Sequence, residues 1–408
     1  MGESKQKRIL IVTPRLPIPP PGACEKDRYQ NILQLHNLGY EVIVLAKVSP
    51  QYDLNLAREF ERETGVKIVT MPYVFMGKKN FLFYLRHLFP QNWDGAAYEY
   101  SHSDTVKTFQ NLLDTFKPDL IWFDYTYLWP LYKLAKKRGM RIITRSINFE
   151  ARHFLQEDGY SFLNLIRFVP KFISELITIR LSDWLFAITP DEQKTYERWA
   201  CLVARQGGKG KISTLPLRGL SNVLNAPVSV KGREVLKVFF MGSTYNVHHN
   251  KSALEYVIRE IAPIVELKAP GKFLFHILGK QVPDDLQKYV SGNVRYVGYQ
   301  DPKIYLQDMD IAVIPSLFGA GMQQKVFEPM AMGIPLVTHE RAIAGYPFDA
   351  GTHYLEARTP SEFADQIIHL QNVNLRYKLS TSAHARAKEE FSQTRLDTIV
   401  KSAIEKFT

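Results

Sequence analysis

The chain has 408 residues, 45% of them hydrophobic and 23% charged, a globular composition with length for two or three domains. Its two cysteines, Cys24 and Cys201, lie far apart, which argues against a disulfide framework and fits a reducing compartment. The net charge of +11 suits nucleic acid, an anionic membrane or a polyanionic substrate. No zinc-finger spacing or aromatic-basic ribonucleoprotein motif is present, so nucleic acid ranks last.

The apolar run at 8–12 is too short for a secretory segment and reads as a first strand. Gly2 hints at myristoylation, but Gln6 stands where that pattern wants Ser or Thr. A cytoplasmic protein is expected. A proline-rich loop at 14–22 follows, then a helical pattern at 26–38 closed by Gly39. Further strands fall at 41–46, 67–72, 119–123, 141–144 and 185–188, with helices between most of them. That alternation predicts a parallel, doubly wound sheet. Residues 216–232, rich in Pro, Gly, Ser and Asn, read as a linker.

The second half repeats the pattern, with strands at 237–240, 273–278, 294–297, 311–314 and 336–338 and a helix at 360–370. The tail from 375 to 407 reads as one or two helices. The expected organisation is an N-terminal Rossmann-like domain over 1–215, a linker over 216–232, a C-terminal Rossmann-like domain over 233–385 and a final helix over 386–408. The fold class is α/β, and two such domains facing across a cleft would place ligands at their strand ends.

Residues 313–337 carry the most chemistry. A buried strand runs into a loop bearing Gly319 and Gly321, then into an amphipathic helix, and Gly333-Ile334-Pro335 opens the next strand. Backbone N–H groups at a helix N-terminus favour an anion. Lys325 and Glu328 stand three apart on one helical face, placing a cation near that anion and a carboxylate able to accept two hydroxyl protons. A nucleotide-sugar needs both. His248, His249 and His276 have no known metal-ligand spacing, and a metal site is rejected.

Two further stretches stand out. Residues 78–93 mix basic with large apolar side chains, a composition that suits a membrane interface as well as burial. Residues 160–188 are apolar but broken by Arg167, Lys171, Glu175, Arg180 and Asp183, and burial is the favoured reading. Neither suits a bilayer span.

Taken in order, the motifs resemble those of GT-B glycosyltransferases, close to the family-4 group, over nearly the whole chain. Pro19-Pro20-Pro21-Gly22, Arg28, Leu33 to Gly39 and Val42 are similar to that group's P-P-x-x-G…R…L…L-x-x-x-G-H/Y-x-V opening. Asp183, Ala187-Ile188-Thr189 and Gln193 resemble its central segment. Phe240-Met241-Gly242-Ser243, then Asn250 and Ala253, resemble F-x-G-S…N-x-x-A. Residues 276–279, 294–299 and 308–315 match three further runs.

The resemblance implies that the C-terminal domain holds a nucleotide-sugar. Glu328 corresponds to the second glutamate of an E-x7-E element, which binds the ribose, and Lys325 is the candidate for the diphosphate, so these two are the catalytic candidates. Gly242, Ser243, Asn250, Gly319, Ala320 and Gly321 would complete the donor site, with Tyr299 near the base and Gly22 approaching from the other domain. Arg28, Asn148, Glu150 and His153 are the candidates for the acceptor or sugar side. The family implies retention of configuration with no metal and no cofactor, the nucleotide-sugar being a substrate. A glycan or lipid-linked saccharide is the expected acceptor, and an anionic membrane surface is a candidate partner.

The departures are equally specific. Ala320 stands where the first glutamate of E-x7-E would be, Met322 or Gln323 where an arginine is usual, and Ile147 where a D-T-H-N-x-E motif has histidine. They support an alternative, a catalytically inert GT-B protein that binds a nucleotide-sugar or scaffolds a glycan-biosynthesis complex. A nucleotide-sugar epimerase ranks third. A dehydrogenase is weaker still, because no G-x-G-x-x-G follows the first strand.

Overall fold

The computed structural model describes residues 6–20, 22–74, 95–203, 211–220, 223–224, 228–242, 244–245, 248–300, 305–316 and 322–407. The chain forms two compact units, one of Met1–Gly219 with Leu396–Thr408 and one of Leu220–Arg395. The first boundary falls inside the span 216–232. Residues 78–93 lie outside the described residues.

The first unit is built on seven strands: β1 (Arg8–Thr13), β2 (Glu41–Val48), β3 (Lys67–Pro72), β4 (Leu120–Phe123), β5 (Arg141–Arg145), β6 (Trp184–Ala187) and β7 (Ile212–Thr214). Their order is β3-β2-β1-β4-β5-β6-β7 and every pairing is parallel. Central strands such as Leu-Ile-Trp-Phe of β4 are buried throughout because helices cover both faces of a parallel sheet. The helices used below are α1 (Ala23–Asn37), α2 (Glu150–Asp158), α3 (Phe162–Leu181) and α4 (Pro190–Val203).

The second unit carries β8 (Leu236–Met241), β9 (Phe273–Leu278), β10 (Val294–Gly298), β11 (Ile311–Ile314), β12 (Leu336–Thr338) and β13 (Leu355–Glu356), ordered β10-β9-β8-β11-β12-β13 and again parallel. Its relevant helices are α5 (His248–Tyr256), α6 (Gln324–Ala331) and α7 (Val373–Phe391). Each sheet therefore has a reversal of winding, between β1 and β4 in the first and between β8 and β11 in the second. Such a switch point opens a crevice at the C-terminal ends of the strands.

The tail is two helices. α7 ends at Ser392, and α8 (Gln393–Glu405) then enters the first unit, burying Leu396, Val400, Ala403 and Ile404 in the core beside Ile9, Ile32 and Leu35. Gln34 Nε2 donates to Asp397 Oδ1 at 2.8 Å, and the Lys406 ammonium lies 3.9 Å from the Trp184 ring centroid. The first unit is thus completed by the last residues of the chain.

One expectation is corrected. Burial was favoured for 160–188, and it holds for most of the later part, from Ser174 on the helix through β6, but Tyr160, Phe162, Leu163, Leu165, Ile166 and Val169 are exposed. The helix outruns the sheet it covers, so its first turns are held by α2 alone and leave their outer face exposed.

Candidate functional site

In the second unit, the helices that follow β8 and β11 begin close together at the switch point. Lys325 is in the first turn of α6 and Asn250 in the first turn of α5, and Lys325 Nζ donates to Asn250 Oδ1 at 3.1 Å. Asn250 is itself buried and held by its Nδ2, which donates to the Thr244 carbonyl at 3.0 Å. The ammonium also lies 5.8 Å from the Phe240 ring centroid, over β8. Burial pushes the Lys325 pKa down to about 8, since the surrounding protein solvates a cation less well than water. Gln323 supplies no side-chain cap, which leaves the first N–H groups of α6 without that partner. A cation and open helix-terminal donors at one point suit a phosphate.

Glu328 is buried one turn further along α6. The phenol of Tyr346 is raised well above its usual pKa, first by burial and then by the Glu328 charge. Tyr346 OH donates to the Gln323 carbonyl at 2.9 Å and so fixes the start of α6. Met322, where an arginine was expected, is buried.

The floor of this corner is backbone. Gly242 N donates to Leu278 O and Gly279 N to Gly298 O, each at 3.0 Å. A Cβ on Gly279 would stand 2.2 Å from the Gly242 carbonyl, and one on Gly242 would stand 2.7 Å from the Tyr245 ring. Both positions require glycine for close approach. Tyr299 follows the end of β10 with its side chain 70% exposed, so its ring is open to a ligand. Ser243, Gly319, Ala320 and Gly321 lie outside the described residues. Ser316, at the end of β11, is a residue that sequence reasoning missed; its buried Oγ has no hydrogen-bond partner among the described residues.

The first unit has a matching corner at its own switch point. Arg28, buried on α1, stacks its guanidinium 5.4 Å from the Tyr125 ring centroid and pairs with Glu25 at 3.5 Å. Tyr125 OH donates to Glu150 Oε2 at the start of α2. Arg28 and Glu150 are therefore brought together through Tyr125, a residue the sequence did not single out. Asn31 Nδ2 and Trp122 Nε1 donate to Asp124 Oδ1 at 3.0 and 2.9 Å. Burial raises Asp124 to a pKa of about 6, although Arg218 and Arg28 oppose it.

Asn148 enters this corner through its backbone, its carbonyl accepting from Ser146 Oγ at 2.7 Å. His153 is half-buried one turn into α2, on the same side as Glu150. Ile147, which replaces a histidine, is buried and puts no polar group here. Gly22 caps α1 with an extended φ of −154°, a conformation open to any residue, and a Cβ would meet the Glu25 carboxylate at 3.1 Å. Close approach, not backbone freedom, is the argument left for this glycine.

Two buried networks brace this corner. Asp27 accepts from Arg218 Nη2 at 2.8 Å, Arg218 N at 2.8 Å and Arg145 Nε at 3.3 Å. Burial opposes the Asp27 charge, but the two guanidiniums and their hydrogen bonds win and hold its pKa below the usual carboxylate range. Glu175 accepts from Thr126 Oγ1 at 3.1 Å, Glu150 N at 2.8 Å and Tyr196 OH at 3.0 Å. No buried cation hydrogen-bonds to it, and burial raises it to about 8. Among the described residues, no group of three or more His, Cys, Asp or Glu could hold a metal ion.

Residues 236–372, which contain the Lys325, Asn250 and Glu328 corner, match the family model for glycosyl transferases group 1. With two parallel-stranded Rossmann-like units, the chain has the GT-B fold, and solved structures share it. A sucrose-phosphate synthase from Thermosynechococcus elongatus superposes with a TM-score of 0.68 at 14% identity, over 98% of this chain and 99% of that one. HepE of Anabaena in complex with UDP gives 0.65 at 13%, over 98% and 100%. A glycosyltransferase from Rickettsia africae gives 0.66 at 12%, over 99% of each chain. At such identities the likeness speaks for the fold alone. No curated protein matches the chain by sequence. Within the matched segment, the candidate donor corner lies at the winding reversal, where open α/β sheets place ligands.

Proposed function

We propose that the protein is a glycosyltransferase. Its second unit would bind a nucleoside-diphosphate sugar and deliver the sugar to a glycan or lipid-linked saccharide acceptor, with retention of configuration and without a metal or cofactor. One observation carries this reading: the partly desolvated Lys325 ammonium, held by Asn250 at the open start of α6, with Glu328 one turn away. Negative charge develops on the departing nucleoside diphosphate, and a fixed cation with aligned N–H groups stabilises it. Glu328 would accept the two ribose hydroxyl protons as a charged acceptor. Arg28, Tyr125, Glu150 and His153 would form the acceptor side.

Purified protein screened by thermal shift against UDP-, GDP-, ADP-, CMP- and dTDP-sugars, with product analysis, tests the proposal. UDP-sugars come first, because the HepE structure of the same fold holds UDP. A shift with one nucleotide class and slow release of its diphosphate supports transfer. The buried Ile147 favours the second reading, an inert binder, because it leaves the motif without its imidazole. A shift without release, with candidate acceptors present, would favour that reading.

A further inference from the structure

We propose that the tip of the α2–α3 hairpin, residues 160–169, docks the protein on an anionic phospholipid surface. α3 passes the C-terminal edge of the first sheet near Glu175 and Thr178, where Thr178 Oγ1 donates to the Thr126 carbonyl at 2.6 Å and Thr126 Oγ1 donates to Glu175. At 1.5 Å per residue, Phe162 stands about 20 Å beyond that level. The overhang is a built feature. Ser161 caps α3, Asn164 Nδ2 donates to the carbonyls of Asp158 and Gly159 at 2.8 and 3.1 Å, and Phe168 stacks on Phe172 with centroids 5.5 Å apart.

What this rigid tip presents is apolar. Tyr160 is 70% exposed and Phe162 77%, and Leu163, Leu165, Ile166 and Val169 are also exposed. On a helix advancing about 100° per residue, Leu165, Val169, Phe162, Ile166 and Leu163 form one arc roughly 160° wide. Arg167 and then Lys171 follow along its edge, and from 159 to 174 the sequence has no acidic residue. Lys171 is held there over the Phe154 ring at 5.1 Å. Large apolar and aromatic side chains rimmed by cations, on a helix that lies on a bilayer, match an interface anchor. Among the described residues, no helix is long and apolar enough to cross a membrane. The net charge of +11 adds attraction to anionic lipid.

α2, the other arm of the hairpin, starts at Glu150, so the docked tip extends from the end of the sheet that carries Arg28, Tyr125 and Glu150. A lipid-linked acceptor would then reach that corner from the surface to which the protein is bound, an extension that rests on the transferase reading.

The test is flotation of the full chain with vesicles of phosphatidylcholine alone, or of equal parts phosphatidylcholine and phosphatidylglycerol, without any donor. Binding is expected only to the mixed vesicles, and it should weaken as salt rises. Phe162→Ser with Ile166→Ser should weaken it on the order of a hundredfold, and Arg167→Glu with Lys171→Glu by about thirtyfold or more. These side chains are exposed or half-buried, so thermal unfolding of each variant should match that of the native chain. Absence of vesicle binding, equal binding to phosphatidylcholine alone, or unchanged binding by both variants would overturn the proposal. A serine variant that dissociates an oligomer but still binds vesicles would assign the face to a second copy of the chain instead. Vesicle binding without any sugar transfer would leave the docking intact and remove the transferase reading.

Discussion

Lys325 and Asn250 are 75 positions apart in sequence, yet Nζ of one donates to Oδ1 of the other at 3.1 Å. Each belongs to the first turn of the helix that follows one of the two strands flanking the winding reversal of the second sheet. The amide oxygen holds the ammonium in place without neutralising it. The charge is left for an incoming anion.

That arrangement sets a pH dependence for donor binding. Burial lowers Lys325 to about 8, whereas a bound diphosphate favours the charged form and raises it. Below pH 8 the free protein already carries the proton, and affinity for a nucleoside diphosphate should be flat. Above pH 8 binding must take up a proton, so affinity should fall by up to about tenfold per pH unit until the bound-state pKa is reached. Calorimetric titration from pH 6.5 to 9.5 reads this. Lys325→Gln should bind weaker by about 1.5–3 kcal/mol at pH 7 and lose the alkaline decline. A decline that persists in the variant would assign it to another group.

Glu328→Gln tests the ribose contact. The isosteric amide keeps the shape but offers one acceptor where the carboxylate offers two, and it loses the charge. Donor affinity should drop by about 1–3 kcal/mol. A 2′-deoxy nucleotide, which lacks one of the hydroxyls, should bind the variant and the native chain with a smaller difference. Unchanged affinity for the ribonucleotide would remove Glu328 from the site.

How far the sequence reaches depends on the distance over which each contact acts. Strands such as 273–278 and 311–314 were legible because buried parallel strands are short apolar runs bounded by turns. β7 and β13 have three and two residues, too few for any pattern. Lys325 and Glu328 were visible through their spacing on the helix after a predicted strand, Gly242 and Asn250 only through the resemblance to the family's F-x-G-S…N-x-x-A run. Tyr125 was not, since its role comes from Arg28 on one side and Glu150 on the other, both set by the packing of α1 and α2. Its one signal is its position just after β4, at the switch point. Glu175 is a carboxylate inside an apolar stretch, 160–188, for which burial was the favoured reading. That burial is real, but it begins only where the helix reaches the sheet.

The Asp27 network makes a stability prediction. Asp27→Asn leaves Arg145 and Arg218 buried without the carboxylate that pairs with both, and should destabilise the first unit by about 3–5 kcal/mol. Its pH dependence follows from the depressed native pKa. The contribution is present above the unfolded pKa of an aspartate and is lost as pH falls through that value and toward the native one. Denaturant unfolding at pH 7 and pH 4 reads both, and the gap between variant and native protein should narrow at the lower pH.

Glu175 predicts the opposite slope. Its native pKa is about 8, against 4.5 for an unperturbed glutamate, so between those values the folded chain holds a proton that the unfolded chain releases. Stability must then fall as pH rises through that window. Asp124 and Glu192, raised by burial to about 6 and about 7, add to the same trend over narrower ranges. Glu175→Gln keeps an acceptor for Thr126 Oγ1 and the Glu150 N–H and turns an N–H₂ toward the Tyr196 oxygen, which can accept. The variant needs no proton, so its unfolding temperature should decline less between pH 5 and 8 than that of the native chain. Parallel slopes for the two proteins would mean that Glu175 is ionised in the folded state. Its three hydrogen-bond donors would then be sufficient to hold a buried carboxylate without a cation.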